Sequence, residues 1–347
     1  MLSQGAMKKP FWLVVFVIWT SDLWAQSSFY QGKTVTVVAA ASAGSLYDLY
    51  ARLAAQFMGK HIPGNPNFIV QNMPGAGSII GANYIYNVVK PDGLTIGAVQ
   101  PSIYFNQIQK QAEVKYDWAK FAWIGSTDKS DHLLYMRADL PYKSLAGVRR
   151  AKEPPKCGST GAGTSGSYMP KLLEETLGTK FTVVAGYQGG GEIDLAVERG
   201  ELHCRALTIQ AYHSREPYHT WRKNGFARIL MQTGKTRDPR LADVPTLYEL
   251  MNEHKTPEAE RRLLPLVMAA SDFGRPIVAP PGFPPDKTKI FREAFMKAMS
   301  DPELLAEAKR KNYDITPTSG EELEALAKQV MTQSPEIVER VKIIMSQ

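Results

Sequence analysis

The pattern of hydrophobic and polar positions predicts alternating strands and helices in the first third of the chain. Lys33 to Ala41 is β-branched and almost continuously apolar, which is typical of a strand that is covered on both faces. Apolar residues then recur at helical spacing from Tyr47 to Lys60, until the Pro/Gly-rich stretch 61–66 stops the helix. The further elements of this unit are a strand at 68–71, a helix at 78–89 and a strand at 94–99. This order predicts a parallel sheet in an α/β fold.

The same pattern begins again after Pro154 and Pro155, which indicates a second unit. Its elements are a short strand at 156–158, a Gly/Ser/Thr loop at 159–167, a helix at 168–177, a strand at 181–186, a glycine turn at 189–191, a helix at 192–198 and a strand at 202–208. Two such units in one chain of 347 residues predict two lobes, because single cores rarely grow beyond about 250–300 residues. Further along, Ser319 and Glu322 have the spacing of a capping box, which predicts the start of the last helix.

The N-terminus has the pattern of a secretory signal peptide. Lys8 and Lys9 precede an unbroken apolar run, Phe11 to Trp19, and Ala25 suits the last position before cleavage. Nine apolar residues are too few to span a bilayer, which needs about 20. A buried core helix is the alternative interpretation. We therefore predict that residues 1–25 are removed and that the mature chain is exported to an oxidising compartment.

The two cysteines, Cys157 and Cys204, fit a single disulfide in such a compartment. They fall in the first and third strands of the second unit, which are neighbours if the strand order is 2-1-3. Their side chains could still point to opposite faces of the sheet. The sequence alone leaves open whether the two are bonded.

Composition and charge exclude few classes of protein but lower the prospect of nucleic-acid binding. The chain is 44% hydrophobic and 22% charged, with a formal net charge of +7. No run of Lys and Arg exceeds the three residues Lys309 to Lys311. A nucleic-acid-binding protein usually clusters its basic residues on one face. We expect a solvated basic surface and no nucleic-acid partner.

Catalytic, cofactor and metal motifs are all incomplete in the sequence. Gly161, Gly163 and Gly166 match the dinucleotide-binding pattern, but no acidic residue follows about 20 positions on. The same loop lacks the lysine of a P-loop, and a nucleophile elbow at Ser165 fails because position 167 is Ser rather than Gly. The six histidines form no H-E-x-x-H motif. We therefore predict no enzyme activity, no cofactor and no metal.

Two loops of small residues, one in each unit, lie at the start of predicted helices. A helix N-terminus offers free backbone N–H groups and a partial positive charge, which suit a small anion such as a carboxylate. The alternative is that each loop is only a tight connection. The candidate ligand-binding residues are Ser42, Ala43, Gly44, Ser45, Leu46 and Tyr47 in the first unit, Ser159, Thr160, Gly161, Gly163, Thr164 and Ser165 in the second, and Tyr187, Gln188 and Gly189 at the side.

Several segments together resemble the Bug-type receptors, the extracytoplasmic solute-binding proteins of tripartite tricarboxylate transporters. The segments are the opening strand from Gly32 with Tyr47-Asp-x-x-Ala-Arg52, Val70-Gln-Asn-Met-Pro-Gly-Ala-Gly77, Pro91-Asp-Gly93, Gly158-Ser-Thr-Gly-Ala-Gly-Thr-Ser165, Gly186-Tyr-Gln-Gly-Gly190, Asp194-Leu195 with Gly200-Glu-Leu202, Arg240-Leu-Ala-Asp-Val-Pro-Thr246 and Ala279-Pro-Pro-Gly282. The resemblance covers residues 32 to 345, and its strength lies in the order and spacing of the motifs. This chain departs from the family pattern at Leu46 and over Arg261 to Arg275.

The resemblance implies a two-lobe, type II periplasmic-binding-protein fold, with a mostly parallel sheet in each lobe and a ligand cleft between the lobes. Lobe 1 is expected to comprise residues 26–126 and 234–347, and lobe 2 residues 127–233, with crossings near 125–129 and 227–234. The implied function is a periplasmic receptor for a di- or tricarboxylate or an aromatic acid, acting as a monomer with the membrane subunits of such a transporter. A ligand sensor for a signalling partner and an enzyme of unrecognised type are the alternatives.

Overall fold

The computed structural model of the protein describes residues 29–346, in which two mixed sheets are flanked by helices. The predicted signal peptide at residues 1–25 lies outside the described residues. The strands are β1 (Thr34–Ala39), β2 (Asn67–Asn72), β3 (Thr95–Ala98), β4 (Ala122–Ser126), β5 (His132–Arg137), β6 (Lys156–Gly158), β7 (Thr182–Val184), β8 (Cys204–Thr208), β9 (Ala227–Gln232), β10 (Pro276–Ala279) and β11 (Thr318–Ser319).

The helices cover both faces of the sheets and fill the connections. They are α1 (Leu46–Met58), α2 (Ile79–Asn87), α3 (Tyr104–Ile108), α4 (Leu145–Arg149), α5 (Ser165–Leu177), α6 (Gly190–Glu198), α7 (Ile209–Ser214), α8 (Tyr218–Asn224), α9 (Leu247–His254), α10 (Glu258–Arg261), α11 (Leu264–Phe273), α12 (Pro285–Met299), α13 (Pro302–Arg310), α14 (Gly320–Met331) and α15 (Pro335–Ser346). The capping box of Ser319 and Glu322 is confirmed at the start of α14, but α14 is not the last helix, since α15 follows.

The first sheet confirms the strand–helix order that the sequence predicts. Its strand order is β11-β4-β10-β3-β1-β2, and β1 pairs in parallel with both β2 and β3. Helices α1 and α12 pack against each other over this sheet. The valines of β1 point alternately to the two faces, and Val35, Val37 and Val38 are all buried. A strand covered on both faces reads as a continuous apolar run, which explains the pattern in the sequence.

The second sheet has the order β7-β6-β8-β5-β9, so its first three parallel strands show the predicted 2-1-3 arrangement. Cys157 of β6 lies directly opposite Cys204 of β8, with their Cα atoms 4.5 Å apart. The two side chains point to the same face and form a disulfide. The structure thus closes the question that the sequence left open.

The two-lobe α/β fold is confirmed, but the sheets are mixed rather than mostly parallel. In the first sheet β10 runs antiparallel to β3 and β4, and β11 runs antiparallel to β4. In the second sheet β5 runs antiparallel to β8 and β9. Strands β5 and β10 each follow a passage of the chain from one lobe to the other and so enter their sheets from the opposite end, whereas β11 follows α13 within the first lobe.

Every described strand belongs to the sheet of the lobe that the prediction assigns it to. Some helices assigned to lobe 1, however, pack against lobe 2. The chain leaves the first sheet after β4 and returns to it at β10, through the long segment 233–275. Helices α9, α10 and α15, which the prediction places in lobe 1, all contact α5 of the second lobe. Arg340 of α15 forms ion pairs with Glu175 and Glu260 at this contact. The exact lobe boundaries therefore stay a prediction.

The largest apolar cluster contains side chains from both sheets. Trp118, Trp123 and Phe273 pack ring against ring at its centre, with centroids 4.7–5.2 Å apart. Met231 of β9 belongs to the same cluster. Over the part of the chain that the structure describes, the helices are too short or too polar for any of them to cross a bilayer.

Candidate functional site

A cavity of about 590 Å³ lies between the two lobes. Its walls are formed by residues 40–47 and 74–79 from the first lobe and by residues 158–162, 164–166, 186–191 and 205–208 from the second. Every ligand-binding residue predicted from the sequence lines this cavity except Gly163. Its volume is within the range of about 300–1,000 Å³ that is typical of small-molecule sites.

The first loop is held in shape by Asp48. The N–H of Gly44 donates to Asp48 Oδ2 at 2.8 Å, and Ser45 Oγ accepts from the N–H of Asp48 at 3.4 Å as the cap of α1. Burial raises the pKa of Asp48, but hydrogen bonds from Arg52, Asn72 and Gly44 outweigh burial and hold the pKa below its ordinary value. The Asp48 carboxylate is therefore occupied by hydrogen bonds within the protein. Within residues 29–346 the N–H groups of Leu46 and Tyr47 have no hydrogen-bond partner, and both residues line the cavity.

The second loop keeps most of its hydroxyl groups for itself. Thr164 Oγ1 donates to Gly161 O at 2.9 Å, and Ser159 Oγ donates to the same carbonyl at 3.0 Å. Ser165 Oγ donates to Ala206 O of β8 at 3.2 Å. In this structure the hydroxyl groups of Ser159, Thr164 and Ser165 therefore donate within the protein, because a buried carbonyl needs donors of its own. Thr160 is the exception, since its hydroxyl has no partner among the described residues. The assignment of all four as ligand-binding residues stays a prediction.

Gly163 is the one predicted ligand-binding residue that does not line the cavity. It has a φ of +80°, and a Cβ at this position would lie 2.3 Å from Asn106 Oδ1. The residue therefore faces Asn106 of the first lobe rather than the cavity. Asn106 Nδ2 also donates to Ala162 O at 2.9 Å, so this part of the loop forms a contact between the lobes.

Helix α5 begins at Ser165, three residues earlier than the sequence indicates. Thr164 occupies the N-cap position without capping the helix through its side chain. In the described part of the chain, the N–H groups of Ser165 and Gly166 therefore have no partner. Both residues line the cavity. The prediction that this loop presents helix N–H donors to the cleft agrees with this geometry.

A third helix N-terminus, that of α6, also faces the cavity. The helix begins at Gly190 rather than at Glu192, because Glu192 Oε2 accepts from the N–H of Gln188 at 2.8 Å and so closes the first turn. Gly190 and Gly191 both line the cavity, and no partner for their N–H groups occurs between residues 29 and 346. The lack of a Cβ matters at Gly190, because a Cβ there would lie 2.2 Å from Arg205 Nη2.

The two lobes touch on both sides of the cavity. Ser42 Oγ donates to Gln188 O at 2.6 Å across the cleft. On the other side, a Cβ on Gly161 would lie 3.1 Å from the N atom of Gly77. The two lobes thus contact each other beside the cavity through polar and small residues.

Three arginines, which sequence reasoning missed as site residues, line the cavity: Arg205, Arg215 and Arg275. Arg205 could have been found, since it is a charged residue inside the otherwise apolar strand 204–208. Arg275 ends the segment in which the chain departs from the family pattern. Nothing in the sequence around Arg215 indicates that it belongs to the site.

Arg275 forms a buried ion pair with Asp128. Its guanidinium group also lies over the rings of Tyr50 and Tyr47, at 4.5 and 5.5 Å from the centroids, and Nη2 donates to Thr208 Oγ1 at 3.1 Å. Burial raises the pKa of Tyr47 to about 12, and the nearby Arg275 only partly opposes this effect. The Tyr47 hydroxyl is therefore protonated at neutral pH and is a hydrogen-bond donor at the cavity wall.

Arg205 and Arg215 share the carboxylate of Asp194. Arg205 Nη1 lies 2.7 Å from Asp194 Oδ1, and Arg215 Nη2 lies 3.4 Å from Asp194 Oδ2. The hydroxyls of Tyr135 and Tyr218 also donate to Asp194, at 3.0 and 2.7 Å. Asp194 is thus paired with two guanidinium groups at this wall of the cavity.

The two lobes, the cavity between them and the N–H donors that face it are the features of a two-lobed solute-binding protein. The tripartite tricarboxylate transporter family receptor model (TctC) matches residues 50–343, which is most of the chain. The protein therefore belongs to this family of transporter receptors, which are binding proteins and not enzymes. In residues 29–346 no three His, Cys, Asp or Glu side chains are grouped so as to hold a metal ion.

Solved structures that are similar to this chain share its fold at low sequence identity. The binding protein BugD is 19% identical, with a TM-score of 0.71 over 91% of this chain and 98% of its own. MatC from Rhodopseudomonas palustris with bound malate is 21% identical, with a TM-score of 0.68 over 90% and 99%. A UPF0065 protein of the TAR-I ttuE–ttuC' intergenic region in Agrobacterium vitis is 30% identical over 222 residues, which are 54% of this chain and only 59% of that relative's length.

Proposed function

We propose that this receptor captures a small carboxylated organic molecule in the periplasm and delivers it to the membrane subunits of a tripartite transporter. The observation on which the proposal rests is that the N-termini of α1, α5 and α6 all face the same cavity between the lobes. Each offers backbone N–H groups without partners in the described residues, together with the positive end of a helix dipole. Such an arrangement favours an anion with several acceptor oxygens.

Two further features support a carboxylate. The cavity wall contains the protonated Tyr47 hydroxyl and three guanidinium groups, all of which are donors. The similar structures include MatC with malate and a second Rhodopseudomonas palustris protein with adipate, which is 19% identical with a TM-score of 0.69 over 90% of this chain and 97% of its own. The malate and adipate belong to those proteins, and the likeness in fold makes carboxylates the first ligands to test here.

The test is a thermal-shift screen of the purified mature chain against aliphatic and aromatic carboxylic acids, followed by calorimetry on any acid that raises the melting temperature. Gly191→Leu is the variant that blocks the site. A Cβ at Gly191 meets no atom within 4 Å, so the protein should fold while the leucine fills the space in front of α6. Gly147→Leu on α4 is the matched control, because the nearest atoms to its Cβ are 3.8 Å away and it lies outside the cavity.

We expect Gly191→Leu to weaken binding at least tenfold and Gly147→Leu to leave it unchanged. If no carboxylic acid in the screen binds the parent protein, the proposal is wrong. The export part of the proposal is tested separately, by sequencing the N-terminus of protein from the periplasmic fraction. A mature chain that begins near Gln26 would support export, and an intact Met1 or Met7 would contradict it.

A further inference from the structure

A second cavity lies between helices α7 and α8 of the second lobe and helix α13 of the first. It has a volume of about 680 Å³, and none of its lining residues lines the cavity at the N-termini of α1, α5 and α6. Five basic side chains line it: His213, His219, Arg222, Arg240 and Lys309. We call this second cavity the basic groove. Its volume is within the range that is typical of small-molecule sites, and the proposed function makes no use of it.

Arg222 of α8 is held at the basic groove by uncharged partners. Its Nη1 donates to Tyr212 O at 2.9 Å and to His213 Nδ1 at 2.8 Å, and its guanidinium group lies over the Tyr212 ring, 5.8 Å from the centroid. Within residues 29–346 no carboxylate pairs with Arg222, and its Nε and Nη2 have no hydrogen-bond partner. The side chain is thus fixed in place while its charge and most of its N–H donors are available to a ligand.

Arg240 is positioned beside the basic groove by two carboxylates. Its Nη2 lies 2.7 Å from Asp238 Oδ2, and its Nη1 lies 3.0 Å from Asp314 Oδ2. Asp314 is the one acidic side chain that lines the basic groove in the described part of the chain, and this ion pair occupies it. Burial and, to a smaller extent, the charges of Arg222 and Arg240 lower the pKa of His213 to about 4. Both guanidinium groups are therefore close enough for their positive potential to act on the same imidazole ring.

Lys309 of α13 contributes a third cationic group, from the first lobe. It is exposed, and it forms no ion pair with any residue that the structure describes. The cationic groups of Arg222, Arg240 and Lys309 thus come from three separate segments of the chain. A carboxylate has one charge and two oxygens, whereas a phosphate monoester has three acceptor oxygens and close to two negative charges at neutral pH. Cationic groups on three segments therefore favour a phosphate group.

Apolar side chains lie beside the basic ones. Leu305 of α13 is 42% exposed, and it lines the basic groove together with Ala308 and Ile315. Exposed apolar surface next to a few charged groups is typical of sites that bind an organic molecule. An inorganic anion would leave this surface in water, whereas the organic part of an ester would cover it.

We propose that the basic groove is a second ligand site, which binds a small phosphate monoester. The phosphate lies among Arg222, Arg240 and Lys309, and the organic part packs on Leu305 and Ile315. Because the basic groove and the cavity at α1, α5 and α6 have no residue in common, this proposal does not depend on the proposed function.

The experiment is calorimetry on the mature protein at constant ionic strength and neutral pH, with phenyl phosphate, phenyl sulfate and inorganic phosphate as probes. Arg222→Gln and Lys309→Gln each remove one charge from the basic groove, and Leu305→Ala removes apolar surface. All three side chains are exposed, so the variants should fold, which circular dichroism checks. Arg150→Gln is the matched control for net charge, because Arg150 is exposed and lies outside both cavities. Gly191→Leu is the control that blocks the other cavity.

We expect phenyl phosphate to bind at least tenfold more tightly than the singly charged phenyl sulfate, which has nearly the same shape. Arg222→Gln and Lys309→Gln should each weaken phenyl phosphate binding at least fivefold, because charge-assisted hydrogen bonds are lost. Leu305→Ala should weaken phenyl phosphate binding about threefold and leave inorganic phosphate binding unchanged, since only the ester contacts the apolar surface. Arg150→Gln and Gly191→Leu should change neither.

Three results would overturn this inference. Phenyl phosphate fails to bind the parent protein, or Arg150→Gln weakens its binding as much as Arg222→Gln and Lys309→Gln do, which would indicate attraction to the net charge alone. The third is that Gly191→Leu abolishes phenyl phosphate binding while the variants of the basic groove keep it, which would place the ester in the other cavity. None of these results affects the outcome of the carboxylic acid screen.

Discussion

Replacing Asp194 by Asn tests whether this carboxylate provides the counter-charge for Arg205 and Arg215 at the cavity wall. Asp194 is 1% exposed and accepts from two arginines and two tyrosines at 2.7–3.4 Å. Asn has nearly the same shape as Asp but no charge. Its amide NH2 group is also a donor, and it would face arginine and tyrosine groups that themselves donate. Removing one partner of a buried ion pair typically costs about 3–5 kcal/mol, because the remaining charge is left uncompensated. We expect the variant to lose this much free energy of unfolding.

The measurement is urea denaturation at neutral pH, followed by far-ultraviolet circular dichroism. Asp139→Asn is the matched control, since Asp139 pairs with Arg137 at 2.6 Å but has 61% of its side chain exposed. Exposed ion pairs contribute about 0–1 kcal/mol, so this variant should unfold almost like the parent. A loss of less than about 1 kcal/mol of unfolding free energy in Asp194→Asn would show that Arg205 and Arg215 do not need Asp194 as their counter-charge.

Three further outcomes are expected. Replacing Cys157 and Cys204 together by Ala should lower the free energy of unfolding by roughly 4 kcal/mol for a 47-residue separation, and alkylation of both thiols in the unreduced, denatured parent would refute the bond. Burial, aided by Arg275, lowers the pKa of His132 from 6.5 to about 3, so the unfolded chain binds one proton more between these values and stability falls as the pH drops through this window. His132→Gln should flatten that slope by up to about 1.4 kcal/mol per pH unit in urea titrations, and an unchanged slope would exclude His132 as its source. Small-angle scattering should show a more compact particle with ligand than without, as expected for lobes that close about the crossings, and identical profiles at saturating ligand would contradict closure.

The sequence located much of the candidate site because the site uses helix N-termini, which are local features. The small-residue runs at 42–45 and 159–165 are adjacent to the helices they open, so spacing alone predicted where free N–H groups would be. The sequence did not indicate which hydroxyl groups would form hydrogen bonds within the protein. Ser159 and Thr164 turn towards Gly161 O because the loop buries that carbonyl, and such burial depends on how the loop folds over itself.

The sequence by itself determined the elements, the two units and the places where helices begin, because hydrophobic periods and turn residues act over a few positions. It also made Cys157 and Cys204 candidates for neighbouring strands. Tertiary structure alone decided which face each cysteine presents, which strands run antiparallel, and which charged groups meet in the cleft. Asp194, Arg205 and Arg215 lie on a helix, a strand and a loop, and Arg275 is 60 positions beyond Arg215 in the chain. Their pairing depends on how the lobes pack, and electrostatic interactions act through space rather than along the chain.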